Sequence, residues 1–200
     1  EASKRIQDIR QMGLALNELG MVFFYRKRND EAIRTISKAI GQLQKKGDNA
    51  GPGICYNNLG IIYREQKEYS NAAKKFNQAL VLFETVGDRE NIATVYHNIG
   101  TVFEKQGKHR NALTYLNRSI EIRKQFGSQS QIYPTYRVIS SVYKGIGNTN
   151  QAFFYMQKYL DYLDSNTTLQ AAKKIAEMSE SYRADQRKKL IEKQAHSIEV

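Results

Sequence analysis

Apolar residues in this chain fall at helical spacing, and the spacing recurs. Around residue 60, Tyr56, Leu59, Gly60 and Tyr63 occupy i, i+3, i+4 and i+7, which is one face of a helix. A polar turn at Gln66-Lys67-Glu68 comes next, and Ala72, Phe76, Ala79 and Leu80 then mark the inner face of a second helix. Gly87-Asp88 predicts its end, because a glycine just past the last helical residue suits a left-handed cap and the next Asp suits a helix start. Gly47-Asp48 and Gly127-Ser128 stand at the same phase.

Advancing the numbering by 40 superimposes four such segments. Gly20, Gly60 and Gly100 share a column with Ser140, and Leu19, Leu59, Ile99 and Ile139 precede them. Phe23, Tyr63, Phe103 and Tyr143 stand three places later, and Ala32, Ala72, Ala112 and Ala152 form a column without exception. A fixed period of this size predicts a solenoid of stacked helix pairs, a body that offers a long surface rather than a reaction centre. Each mid-helix glycine costs about 1 kcal/mol against alanine, so its recurrence needs a reason. Close approach of the paired helix, with Ala32, Ala72 or Ala112 packed against the bare backbone, supplies one.

The columns resemble the tetratricopeptide repeat, whose helix-turn-helix unit carries a large residue, Leu-Gly, Tyr, then Ala, Phe and Ala at set offsets. Here they read Tyr56, Leu59-Gly60, Tyr63, Ala72, Phe76, Ala79, and likewise Leu16, Leu19-Gly20, Phe23, Ala32, Ile36, Ala39. The third unit reads Tyr96, Ile99-Gly100, Phe103, Ala112, Leu116, Ser119. The resemblance covers residues 8–165 and implies an all-α, right-handed superhelical solenoid of four units. The family's usual proline after the second helix is absent, with Gln44, Glu84, Lys124 and Asp164 in its place. The fourth unit decays, with Ser140, Met156 and Tyr159 at columns of glycine, Phe and Ala, as expected of a terminal repeat.

Residues 1–165 are therefore expected to form the array, and 166–200 a C-terminal capping and linker helix. Leu169, Ala172, Ile175, Met178 and Tyr182 would face the array, and from Arg183 the helix would leave it. The run KKIAEMSESYRADQRKKLIEKQAHSIEV resembles the segment that comes after the repeats in bacterial sensor proteins. There it leads to a membrane helix or to a histidine kinase, LuxR-type regulator or diguanylate cyclase. That resemblance implies signal transduction in a two-component setting, on the periplasmic side of an anchored sensor or in the cytoplasm. Any membrane attachment would come from sequence beyond Val200, and the departing helix could pair in a dimer.

Composition narrows the classes without changing the fold. At 40% hydrophobic and 26% charged the chain is ordinary folded material. The formal charge of +11 raises nucleic acid as a partner, but the bases are spread through every repeat. A solvated basic surface, or one suited to an acidic protein segment, ranks ahead. Cys55 is the only cysteine, reads as a buried filler and leaves no intrachain disulfide or cysteine metal site.

No phosphate loop, zinc signature or nucleophile elbow occurs. His97, His109 and His196 are far apart in sequence, and His109 at a turn reads as solvated. Neither an enzyme nor a cofactor is expected. The binding candidates lie on the first helix of each unit, away from its packing face. They are Asn17, Met21 and Phe24; Asn57, Ile61 and Arg64; His97, Thr101 and Glu104; and Arg137, Ser141 and Lys144. The resemblance places this stripe on a concave groove. The polar column Asn17, Asn57, His97, Arg137 suits the backbone of an extended peptide, and the bases suit acidic side chains. The chain thus reads as a non-catalytic protein- or peptide-binding module, the sensory part of a bacterial signalling protein, with a free-standing cytoplasmic scaffold as the alternative.

Overall fold

In the computed structural model, residues 2–44 and 50–163 are described, with side chains from residue 10 onward apart from that of Gln129. Seven helices run as α1 (Ala2–Tyr25), α2 (Asn29–Gln44), α3 (Ala50–Glu65), α4 (Tyr69–Val86), α5 (Arg89–Lys105), α6 (His109–Gln125) and α7 (Gln129–Ile146). An eighth, α8, begins at 149 and is described to 163. No strand occurs among the described residues. The chain divides into two compact units, Glu1–Met156 and Gln157–Val200, and the first of them holds α1 to α7 and the start of α8. The expected capping and linker helix, and the cap at Gly47-Asp48, lie outside the described residues.

The helices pair as α1 with α2, α3 with α4 and α5 with α6, at the intervals that the columns predict. Each second helix also packs on the next first helix, so α2 meets α3, α4 meets α5 and α6 meets α7. Successive first helices touch as well, α1 with α3, α3 with α5 and α5 with α7, whereas α2, α4 and α6 do not touch one another. Helices that converge on one side and splay on the other make a curved stack. The first helices therefore line its inner, concave face.

The glycine column does its work on a neighbour one turn beyond the one expected. A Cβ on Gly60 would lie 2.5 Å from the Phe76 ring, one on Gly20 2.4 Å from Ile36, and one on Gly100 2.7 Å from Leu116. The alanines come second, through the carbonyls of Ala32 and Ala112 at 3.2 Å. Glycine thus makes room for the large residue four places past each alanine. In the fourth unit Ser140 fills the gap, and its hydroxyl donates to the Ala152 carbonyl at 2.7 Å.

Turns obey the repeat too. Gly87 adopts φ 71°, and Asp88 accepts from the Asn91 N–H at 3.1 Å, which is the predicted cap. Ser128 begins α7 without a side-chain cap bond. Between the helices of each unit, one left-handed position recurs at Lys27, Lys67, Gly107 and Gly147. The first two carry a side chain where glycine is favoured. His109 is solvated only in part: its ring packs against Gly145, and its Nδ1 is shielded without a protein partner among the described residues.

One face of α1 differs from its equivalents. Leu19 is 44% exposed, whereas Leu59, Ile99 and Ile139 in its column are 2, 4 and 1%. Met12 and Val22 are exposed in the same way, while Ile62, Val102 and Val142 are buried. In later units the preceding second helix covers this face.

Candidate protein-binding groove

The stripe predicted on the first helices does not act as one surface. Part of it joins the repeats, and part of it lines clefts. Asn17 is buried, and its Oδ1 accepts from Asn58 Nδ2 at 3.0 Å. One repeat on, Asn57 Oδ1 accepts from Asn98 Nδ2 at 2.9 Å. These amide bonds tie α1 to α3 and α3 to α5 at a separation of 41 residues. Met21 and Phe24 pack against the core of the first unit, and Ile61 against that of the second.

His97 continues the column by other means. Its Nδ1 lies 3.0 Å from Thr135 Oγ1, which links α5 to α7. Burial first, then Arg123, Arg64 and Arg137, push its pKa down to about 4, so the ring is neutral near pH 7. Thr135 Oγ1 also accepts from Arg123 Nη1 at 3.1 Å, so one hydroxyl bridges the ring and the guanidinium.

The remaining candidates converge. Arg64, Thr101, Arg137, Ser141 and Lys144 line a cleft of about 490 Å³ over α5 and α7, with Val138, Ala152 and Met156 as apolar wall. A second cleft of about 460 Å³ holds Phe24, Ile61 and Arg64 between α1 and α3. Arg64 and Glu65 line both, so the two clefts adjoin.

Within the larger cleft the charges are not equivalent. Arg64 is held by Glu65 at 3.0 Å and donates to Asn98 Oδ1 at 3.2 Å. Glu104 receives the Ser141 hydroxyl at 2.6 Å and lies 3.3 Å from Lys105 Nζ. Thr101 Oγ1 donates to the His97 carbonyl within its own helix. Arg137 and Lys144 are exposed and have no hydrogen-bond or ion-pair partner among the described residues. Two free cations beside an apolar wall can hold a carboxylate next to an apolar side chain. No group of three His, Cys, Asp or Glu suited to a metal occurs among the described residues.

A model of the tetratricopeptide repeat matches residues 11–85, 56–125 and 91–165, and the chain belongs to that family. Its solenoid is typically a non-catalytic scaffold that binds proteins or peptides. Among solved structures, BtubC (BKLC) from P. vanneervenii superposes with a TM-score of 0.68 at 18% identity, over 78% of this chain and 64% of that one. Aspartyl phosphate phosphatase F from Bacillus subtilis gives 0.72 at 16% identity, over 79% and 42%. The apo form of RapI gives 0.71 at 18%, over 79% and 58%. The chain thus spans less than two thirds of each of these proteins, and at such identities the likeness is one of fold. No curated protein matches the sequence.

Proposed function

We propose that the groove binds an extended protein segment and seats an acidic side chain, next to an apolar one, in the cleft over α5 and α7. The observation that carries this is that Arg137 and Lys144 have no partner among the described residues, in a cleft whose other charges are already engaged. Thr101, Ser141 and the run of the groove past Arg64 to Phe24 and Ile61 give the segment a path several residues long. Asn17 and Asn57 support that path by fixing the spacing of the first helices.

In this proposal residues 1–165 are the binding array, and 166–200 cap it and link it to an output. The host is a bacterial signalling protein, for which the likeness of the sequence after residue 172 to sensor linkers is the support. Selection of peptides from a random display library on the intact chain tests the groove. Enrichment of sequences with Asp or Glu beside an apolar residue is expected, competed by the same peptide in solution. Enriched peptides without acidic residues would contradict it.

A further inference from the structure

Outside the groove, several departures from the repeat columns meet at one point. Arg123 stands where Leu43 and Phe83 form the core of the earlier units, yet it is only 7% exposed. Thr135 replaces Ala15, Cys55 and Val95; Thr94 replaces Leu14 and Ile54; His97 replaces Asn17 and Asn57. Each change sets a polar group beside the same buried cation.

The guanidinium is only partly engaged. Nη1 donates to the Gln131 carbonyl at 2.7 Å and to Thr135 Oγ1 at 3.1 Å, and Nη2 reaches Thr94 Oγ1 at 3.4 Å. Nε is shielded from solvent and has no protein partner. Of the five N–H donors, the one on Nε and one on Nη2 remain unused. A guanidinium with donors unused is a strong partner for a carboxylate or phosphate oxygen. No carboxylate among the described residues is within ion-pair distance of it. Glu90 acts on Arg123 only through space, and its carboxylate accepts from Gln131 Nε2 at 2.8 Å.

A cleft of about 400 Å³ opens here, and Arg123 forms part of its wall with Thr94, His97, Asn91 and Ser130. A buried charge that lacks a counter-charge is costly to keep, and two unpaired donors add to that cost. We propose that this cleft is a small-anion site, in which an oxyanion of the phosphate or carboxylate kind docks against the Arg123 guanidinium where it lines the cleft. Ser130 supplies a further donor and the His97 ring lines the same cleft, whereas the Thr94 hydroxyl is already spent on the Glu90 carbonyl at 3.1 Å. Glu90 at the rim opposes entry and sets the affinity low enough for release. The site is separate from the groove, so its test stands independently of peptide binding.

Inorganic phosphate and, in parallel, acetate are titrated into the intact chain at constant ionic strength, with Tm and the NMR resonances of the His97 ring followed. The expected result is a saturable rise in Tm and a saturable His97 shift with at least one of the two, and the tighter of them identifies the oxyanion. Arg123→Leu, which restores the residue of the first unit, loses both responses. Arg123→Lys keeps the charge without the fork and binds about tenfold more weakly, as loss of one charge-assisted bond implies. Glu90→Gln binds severalfold more tightly. An equal Tm rise in the wild type and Arg123→Leu would reduce the effect to general salt stabilisation and overturn the site. So would the absence of a saturable response to both anions. Should Arg123→Leu fail to fold, affinity of Arg123→Lys equal to that of the wild type overturns it as well.

Discussion

Asn98 donates its side-chain amide to Asn57 across 2.9 Å, and the same Asn98 accepts from Arg64 at 3.2 Å. One buried amide therefore joins two first helices and also fixes a cation at the junction of the two groove clefts. Asn58 repeats the first half of this arrangement with Asn17. The spacing of the groove wall and the geometry of its charges depend on the same residues.

Removing that amide acts on stability first. Asn98→Ala leaves Asn57 Oδ1 and one guanidinium donor unpaired, and each lost bond is worth about 1 kcal/mol. A loss of about 1–2 kcal/mol is expected in denaturant unfolding, with an unchanged slope. Asn57→Ala loses one bond and falls near 1 kcal/mol. An unchanged midpoint for both variants would mean that water replaces the ladder without loss.

Two glycines in comparable helices have opposite expectations. A Cβ at Gly60 meets the fully buried Phe76 ring at 2.5 Å, so Gly60→Ala forces a core displacement of the kind that costs about 1–3 kcal/mol. Gly41 in α2 has nothing within 4 Å of its added Cβ, so Gly41→Ala stabilises by about 0.5–1 kcal/mol. Thermal unfolding of the two variants checks both signs. Stabilisation by Gly60→Ala would contradict the packing described.

His97 gives the array an acid dependence. Its folded pKa of about 4 is below the ordinary 6.5, so the unfolded chain binds this proton more readily. The contribution is fully present above pH 6.5 and is lost as the pH falls toward 4. The wild type should lose on the order of 3 kcal/mol more than His97→Asn over that interval. Parallel pH profiles of the two proteins would contradict this.

The repeat and its helix boundaries were legible in the sequence because Gly, Ala and aromatic columns are backbone and packing constraints that each unit meets alone. The identity of the glycine's neighbour was not legible, since Ala72 and Phe76 lie one turn apart and only the crossing of the helices decides between them. The groove was legible in part. Spacing places Thr101, Arg137, Ser141 and Lys144 on one stripe, but it does not distinguish a residue that faces solvent from one that faces the next repeat. Asn17 and Asn57 belong to the second kind, and their partners Asn58 and Asn98 form a column that could have revealed it. Arg123 was missed in the sequence, although it breaks the column of Leu43 and Phe83, and its burial emerged only from the packing of α6 on α7.

The groove itself is tested most directly by the affinity of an acidic peptide, taken from the display selection, for the chain and for Arg137→Ala with Lys144→Ala. Both side chains are exposed and have no partner among the described residues, so the double variant should unfold at the same temperature as the wild type. Loss of two charge-assisted contacts should weaken binding by about tenfold or more, and added salt should narrow the difference. Equal affinity in the double variant, at unchanged Tm, would contradict the assignment of the cleft over α5 and α7 as the place where the acidic side chain docks.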